Sequence, residues 1–404
     1  MSASAPKLSP SRAPRLQSID AYRGFIMIIM AIDHVRDYVN REAMLFLPTD
    51  LTQTTPALFF TRWITHLCAP GFIFCAGLGA YLWMQRGHHT KPELSRFLLT
   101  RGLWLLLCEV ALIRPILFFQ FGWRGEAVVM LVFWSIGLSM IGLAALVYLP
   151  PRVLAALSVA IIALHDLSDS ITADKFGHLG WLWIVLHQRG AIPFAGTTIV
   201  VGYPVLPWLG AMCAGFCLGE VFTWESELRK RFLYRLGGAT CLAFVGLRAV
   251  NLYGDVSRWE HQKNALFTVL SFLNTSKYPP SLLFFLMTLG PAMVLLAVFE
   301  GKHFSDKNPM IVFGRVPFFY FAAHLLLAHL FEVALNFFRY GRMPFLWMLP
   351  PSMGGDDKLF PPGYGISLGW TYVVWLVVVV SLYPVCFWFS RLKQRRRDWW
   401  LSYL

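Results

Sequence analysis

A cluster of ionisable residues closes the apolar stretch "SIDAYRGFIMIIMAIDHVRDY" at residues 18–38, where Asp33, His34, Arg36 and Asp37 fall within five positions. An ionised side chain in a bilayer costs at least ~2.5–3.5 kcal/mol, so such residues usually face a polar interior and serve a function. Histidine exchanges protons near neutral pH, which makes His34 the candidate catalytic residue. Asp37, at i+3, or the adjacent Asp33 is expected to orient its ring.

Further polar residues fall in the half of the predicted bilayer where His34 lies. Arg62 and His66 share one helix face at i,i+4, Lys277 and Tyr278 lie in "NTSKYPPS", and His324 interrupts an apolar run. These five residues are expected to line a polar cavity and to contact a substrate. For His66, a structural role is the competing interpretation.

Arginines collect at the opposite boundary of the apolar runs. Arg23, Arg96, Arg101 and Arg315 lie near predicted cytoplasmic ends, and arginine is suited to binding phosphates. We therefore expect Arg23, Arg96 and Arg101 to bind an anionic co-substrate. Arg96 and Arg101 are equally consistent with positively charged membrane anchors.

The elements that must position these residues are membrane-spanning helices. Of the 404 residues, 57% are hydrophobic and only 14% are charged, whereas a soluble domain carries about 25% charged residues. A span needs ~20 mostly apolar residues. Ten candidate spans follow, at about 22–39, 58–84, 96–119, 126–149, 152–166, 203–222, 232–252, 280–299, 310–336 and 368–390. The predicted fold is an all-α, polytopic bundle of about ten transmembrane helices.

Charge distribution predicts how this bundle is oriented. Short basic connections alternate with longer mixed ones, so both termini are expected in the cytoplasm. The net charge of +13 arises from these clusters, which argues against nucleic acid as a partner and for a lipid bilayer. We expect a disordered cytoplasmic arm at 1–17 without a cleavable signal, one transmembrane domain at 18–390 and a basic cytoplasmic tail at 391–404.

Other chemistries lack support in the sequence. The seven cysteines occur singly and without a CxxC pair, so neither a disulfide framework nor a zinc site is indicated. The isolated histidines lack metal-ligand spacing, and we predict no metal. Nucleotide-binding and hydrolase motifs are also missing.

Five segments in one order resemble a known family: "RLQSIDAYRGFIMIIMAIDHVRDYV", "FFTRWITHLCAPGFIFCAGLGAYL", "LSRFLLTRGLWLLLCEV", "GYPVLPWLGAMCAGFCLGEVF" and "NTSKYPPSLLFFLMTLGPA…VFGRVPFFYFAAHLLLAH". They are similar to bacterial membrane proteins labelled heparan-alpha-glucosaminide N-acetyltransferase, catalytic-domain-like. The resemblance covers about residues 15–390.

The first span also resembles that of the acyltransferase-3 proteins, whose pattern matches Asp20, Arg23, Gly24 and His34 here. The resemblance implies an essential catalytic histidine at His34. It also implies an acyl-CoA donor, acetyl-CoA above all, in the cytoplasm and an acceptor on the far side of a bacterial inner (plasma) membrane.

One position departs from the lysosomal relative, which as aligned has asparagine where His34 stands. Its active histidine lies farther along, where this chain has Leu45 or a neighbour, and no histidine occurs between His34 and His66. Either His34 takes the role or the activity differs. The heparan substrate does not carry over.

Three functions remain open at this point. The first is an acyltransferase that acylates a hydroxyl or amine, for which a glycan is one candidate acceptor. The second is a proton-coupled transporter or flippase for a polar or lipid-linked solute. The third is a non-catalytic envelope scaffold. The sequence also leaves open whether the chain acts alone or as a homodimer.

Overall fold

The computed structural model describes residues 16–119, 121–122, 127–341, 363–396 and 398–402. The predicted disordered arm therefore lies outside the described residues except for its last two, and Gln17 already begins the first helix. Part of the predicted tail is likewise outside them, although the last long helix continues into it as far as Arg395.

The described residues are mostly helical. Their helices are α1 Gln17–Val39, α2 Arg41–Leu45, α3 Pro56–Thr65, α4 Cys68–Gly87, α5 Lys91–Cys108, α6 Arg114–Phe118, α7 Val132–Leu146, α8 Pro151–Leu164, α9 Gly180–Leu186, α10 Val205–Leu218, α11 Ser226–Val250, α12 Ala265–Leu273, α13 Leu282–Phe299, α14 Pro309–Arg315, α15 Pro317–Tyr340 and α16 Leu368–Arg395. Each of the ten predicted spans coincides with one or two of these helices. The expectation of a helical membrane protein is thus confirmed in its coarse form.

Among the residues that the structure describes, seven helical segments are long and apolar enough to cross a membrane: 56–87, 151–168, 205–223, 226–250, 282–299, 317–340 and 368–395. Helix α7 is apolar but shorter. Helices α1 and α5 carry several charged residues each, which lowers their hydropathy. The number of ten spans and the cytoplasmic location of both termini stay predictions.

A small sheet interrupts the all-α prediction. Strands β1 Ala127–Met130, β2 Gly190–Phe194 and β3 Thr197–Val201 form it in the order β1-β3-β2. Strand β3 pairs parallel to β1 and antiparallel to β2. The sequence predicted one span over about 126–149, because the short apolar strand β1 runs directly into α7 and the two together resemble one helix.

Glycines allow the helices to cross at close range. A methyl group at Gly24 would overlap the backbone of Met310, and one at Gly314 would overlap the backbone of Asp20. Small residues at such crossings let helix backbones approach within a bilayer. Because Arg23 and Arg315 adjoin these two glycines, the crossing of α1 and α14 brings both arginines to one place.

Candidate functional site

A cavity of about 370 Å³ runs between α1, α4, α5, α7 and α15. Its lining is cationic at one end, where it includes Arg23, Arg101, Arg315 and Lys393. At the other end the lining includes Asp33, His34, Tyr203 and Lys277. The cavity thus joins the two predicted groups of residues, the inner arginines and the polar cluster around His34.

Apolar side chains line the stretch between these two ends. Arg23 and His34 are separated by about 16 Å along α1, because an α-helix rises ~1.5 Å per residue. The intervening lining includes Met27, Met30, Phe72, Leu105, Phe133, Ile136, Phe318 and Phe321. Such a passage suits a slender and largely uncharged chain that carries its charge at one end.

The ring of His34 is held by a second histidine. His34 Nδ1 lies 2.7 Å from His324 Nε2, and His324 Nδ1 lies 2.8 Å from the Tyr320 carbonyl oxygen. A carbonyl oxygen only accepts, so His324 Nδ1 carries a proton and donates it. In neutral His324, Nε2 is then an acceptor, and His34 Nδ1 must be the donor.

This chain of hydrogen bonds assigns the tautomer of His34. Its proton lies on Nδ1, and Nε2 keeps a lone pair for a group in the cavity. No described residue hydrogen bonds to Nε2. The His34 and His324 rings are also stacked, with centroids 5.0 Å apart, and His324 is fully buried. The arrangement presents a neutral, oriented base to the cavity.

The two aspartates beside His34 bind arginines instead. Asp33 forms ion pairs with Arg62 and with Arg36, the latter at 2.8 Å between Oδ1 and Nη2. Asp37 Oδ1 lies 2.6 Å from the same Arg36 nitrogen. The expected contact of Asp33 or Asp37 with the His34 ring is therefore replaced by His324. These aspartates instead balance the buried guanidinium of Arg36 and the partly buried one of Arg62.

Three polar residues meet at the end of the cavity near His34, the polar mouth, where Tyr203 and Lys277 line the cavity and Tyr278 contacts both without lining it. The Tyr278 hydroxyl lies 3.1 Å from that of Tyr203, and the Lys277 ammonium lies 5.1 Å from the Tyr278 ring centroid. Burial alone would raise the pKa of Tyr278, but the positive charges of Lys277 and Arg62 lower that pKa to about 8. This mouth can therefore stabilise negative charge and exchange a proton.

Neighbouring side chains hold two arginines in place at the cationic mouth of the cavity. The Arg101 guanidinium lies over the Phe97 ring, 4.4 Å from its centroid, a favourable cation–π contact. Arg315 Nη2 donates to Asp306 Oδ1 at 2.7 Å. Arg315 Nε also lies 3.8 Å from Asp20 Oδ2, so two carboxylates hold the Arg315 side chain at the cavity lining.

Of the five residues predicted to line the polar cavity, only Lys277 does so; the residues outside the lining are Arg62, His66, Tyr278 and His324. Arg96 is exposed on α5 and does not line the cavity. His66 is buried where the chain bends between α3 and α4, and its ring lies 5.4 Å from Phe284. Sequence reasoning missed Tyr203 and Lys393 as lining residues. The "GYP" turn before α10 and the basic end of α16 were the signals available for them.

Comparison with known proteins bears on this geometry. The sequence model of the family described as "Heparan-alpha-glucosaminide N-acetyltransferase, catalytic" matches residues 15–254, more than half of the chain. The chain belongs to this family. A search of the curated proteins finds no match.

The part that matches the heparan-alpha-glucosaminide N-acetyltransferase family contains Arg23, His34, Arg101 and Tyr203. The residues that complete the cavity from α14, α15 and the connection before α13 lie beyond residue 254. They include Arg315 and Lys277, together with His324 behind His34. The family match therefore covers the part of the cavity formed by α1, α4, α5 and α7. The part formed by α14 and α15 lies outside the matched residues.

Proposed function

We propose that this chain is an integral-membrane acyltransferase that moves an acyl group, acetyl above all, from cytoplasmic acyl-CoA to a hydroxyl or amine across the membrane. The observation that carries the proposal is the cavity that joins the inner cations to His34. The family match supports acetyl transfer as the reaction class. A bacterial inner membrane is the proposed location.

The cationic mouth fits the charged end of the donor. Arg23, Arg101, Arg315 and Lys393 would contact the phosphates of CoA, since guanidinium and ammonium groups bind phosphate oxygens through charge-assisted hydrogen bonds. The apolar stretch would take the slender arm that carries the thioester. The reacting carbonyl would then lie beside His34.

Transfer at the polar end needs a base and a site for negative charge. His34 Nε2 would remove the acceptor proton as its oxygen or nitrogen attacks the thioester carbonyl carbon. The Lys277 ammonium would stabilise the developing oxyanion. When the carbon–sulfur bond breaks, the CoA thiolate takes the proton from His34, and both products leave neutral at the reacting atoms.

The acceptor would approach from the side of Tyr203, Lys277 and Tyr278. Arg62 would act there through Asp33, to which it is paired. These polar groups suit a hydroxylated molecule such as a glycan. Transfer through an acyl-His34 intermediate uses the same residues, with Nε2 as the nucleophile.

The test is acetyl-CoA binding and CoA release by the purified chain in nanodiscs. We expect binding by wild type and a slow release of CoA that His34→Gln lowers by about 10²-fold or more, as loss of a general base does. His329→Gln is the matched control, because it changes a buried histidine of α15 whose Nδ1 bonds to the Ile116 carbonyl. Full activity in His34→Gln would remove His34 from the mechanism.

Variants at the cationic mouth test acetyl-CoA binding separately from the transfer step. Arg101→Ala should weaken acetyl-CoA binding, whereas Arg152→Ala, an exposed arginine off the cavity, should not. Arg96→Ala reports whether the donor extends past the cavity mouth. A wild-type chain that binds no acyl-CoA would overturn the proposal and favour the transporter or the scaffold.

A further inference from the structure

A second group of potential ligands lies away from the cavity, in the segment between α8 and α10. His165 lies at the end of α8, Asp169 follows one helical turn later, and His187 lies at the end of α9. One potential ligand atom from each lies within 4.8 Å of the others. These residues take no part in the proposed acyl transfer.

Three of the four ring nitrogens of these two buried imidazoles lack a hydrogen-bond partner among the described residues. His165 is 5% exposed and His187 is 2% exposed. Both ring nitrogens of His165 and Nδ1 of His187 make no hydrogen bond to any described residue. Buried polar atoms are nearly always hydrogen-bonded or bound to an ion or a water, so these nitrogens call for a ligand.

The neighbouring oxygens are arranged as they are around bound metals. Asp169 Oδ1 lies 2.8 Å from His187 Nε2, and Ser168 Oγ lies 3.2 Å from that nitrogen. Asp166 Oδ1 lies 3.1 Å from His165 Nδ1. A carboxylate often lies beside the non-coordinating nitrogen of a metal-binding histidine. Asp166 has this position next to Nδ1 of His165, and Nε2 of His165 is then left for the ion.

We propose that His165, Asp169 and His187 bind one Zn²⁺ ion. Two imidazoles and a carboxylate are a recognised ligand set for Zn²⁺, with a water or the nearby Ser168 hydroxyl in the fourth position. Ligand atoms bound at 2.0–2.2 Å in a tetrahedron lie about 3.3 Å apart. The three groups reach that spacing by shifts on the order of 1 Å.

The ion would have a structural role in the segment between α8 and α10. It would join the end of α8 to the end of α9, just before β2 begins at Gly190. Strands β2 and β3 then lead to Tyr203, which lines the cavity at the end near His34. The site is therefore structural, and its ion binding does not depend on whether the chain transfers acyl groups.

The test uses the full chain in nanodiscs, purified with a tag free of histidine and stripped with EDTA. Calorimetric titration with Zn²⁺ should give one ion per chain. Bound Zn²⁺ should raise the midpoint temperature of thermal unfolding by a few degrees. Co²⁺ should give the visible absorption of a tetrahedral site. A wild-type chain that takes up no Zn²⁺ would overturn the proposal.

Two variants locate the ion. Asp169→Asn and His187→Gln should each lose the stoichiometric ion, and His178→Gln should keep it, since His178 is an exposed histidine of the same segment. Asp169 is partly exposed, so Asp169→Asn remains informative if His187→Gln fails to fold. Retention of one Zn²⁺ by a folded Asp169→Asn variant with unchanged affinity would contradict the assignment.

Discussion

At the scale of single residues, the site depends on which nitrogen of His34 carries its proton. The Tyr320 carbonyl fixes the proton of His324, and His324 in turn fixes that of His34. His34 therefore needs no ionised partner to direct Nε2 into the cavity. A neutral partner also avoids placing another charge in a membrane-spanning region, where charge is costly.

We predict that His324→Leu lowers CoA release at least tenfold while acetyl-CoA binding changes little. Without its acceptor, His34 samples the other tautomer, in which Nε2 carries the proton and cannot act as a base. His329→Leu makes the same change elsewhere on α15 and should have a smaller effect. Release within twofold of wild type in His324→Leu would contradict this role.

We predict a tyrosine that ionises near pH 8, because cations lower the pKa of Tyr278 to about 8. The ultraviolet absorbance of tyrosinate should show a step there that Tyr278→Phe removes. Lys277→Gln removes a positive charge and should move the step to higher pH. Tyr234→Phe, an exposed tyrosine of α11, is the control and should leave the step in place.

At the scale of elements, close helix crossings decide which side chains meet. The α1–α14 crossing brings Arg23 and Arg315 together, although almost 300 residues separate them in the chain. Sequence reasoning grouped both at the same boundary from the depth of each in its span. Which arginines face the cavity was not predictable, because the rotation of each helix about its axis depends on packing against its neighbours.

We predict that Gly24→Ala and Gly314→Ala each destabilise the chain by about 1–3 kcal/mol, the usual cost of overpacking. Both variants should also weaken acetyl-CoA binding as the two arginines move apart. Gly238→Ala is the matched control, because a Cβ there meets no atom within 4 Å. Thermal unfolding in detergent measures the stability, and equal midpoints for all three variants would contradict the close crossing.

Local sequence patterns predicted only part of the site. Apolar length predicted the helices, and the pattern around His34 predicted the ionisable cluster. The partnership of His34 with His324 depends on how α1 packs against α15, and no local pattern encodes it. The His165, Asp169 and His187 cluster escaped notice for a similar reason, since His187 joins it only when α9 folds back onto the end of α8.

At the scale of the whole molecule, the proposed acyl transfer would use the two ends of the cavity for different parts of the reaction. Four cationic residues lie at one end, His34 and Lys277 lie near the other, and apolar side chains lie between them. A donor bound in this way leaves its charged portion on the side where it entered. Only the acyl group would change sides, and no conformational cycle of the kind that moves whole solutes is required.

We predict that the two ends of the cavity open to opposite sides of the membrane. A cysteine in place of Arg152 should react with an impermeant thiol reagent only in broken cells, and one in place of His178 should react in intact spheroplasts. The native cysteines are buried or partly buried, so the parent chain serves as the control. Labelling of both positions from one side would invalidate the proposed orientation.

The parallel pairing of β1 with β3 has a consequence for biogenesis. The paired residues Ala127 and Thr198 lie about 70 positions apart, so β1 stays unpaired until the ribosome has made the intervening helices. At about 5–20 residues per second, that delay lasts several seconds. During that delay the unpaired edges of β1 can pair with neighbouring chains. Contact with an insertase or with the bilayer surface would prevent this until β3 is made.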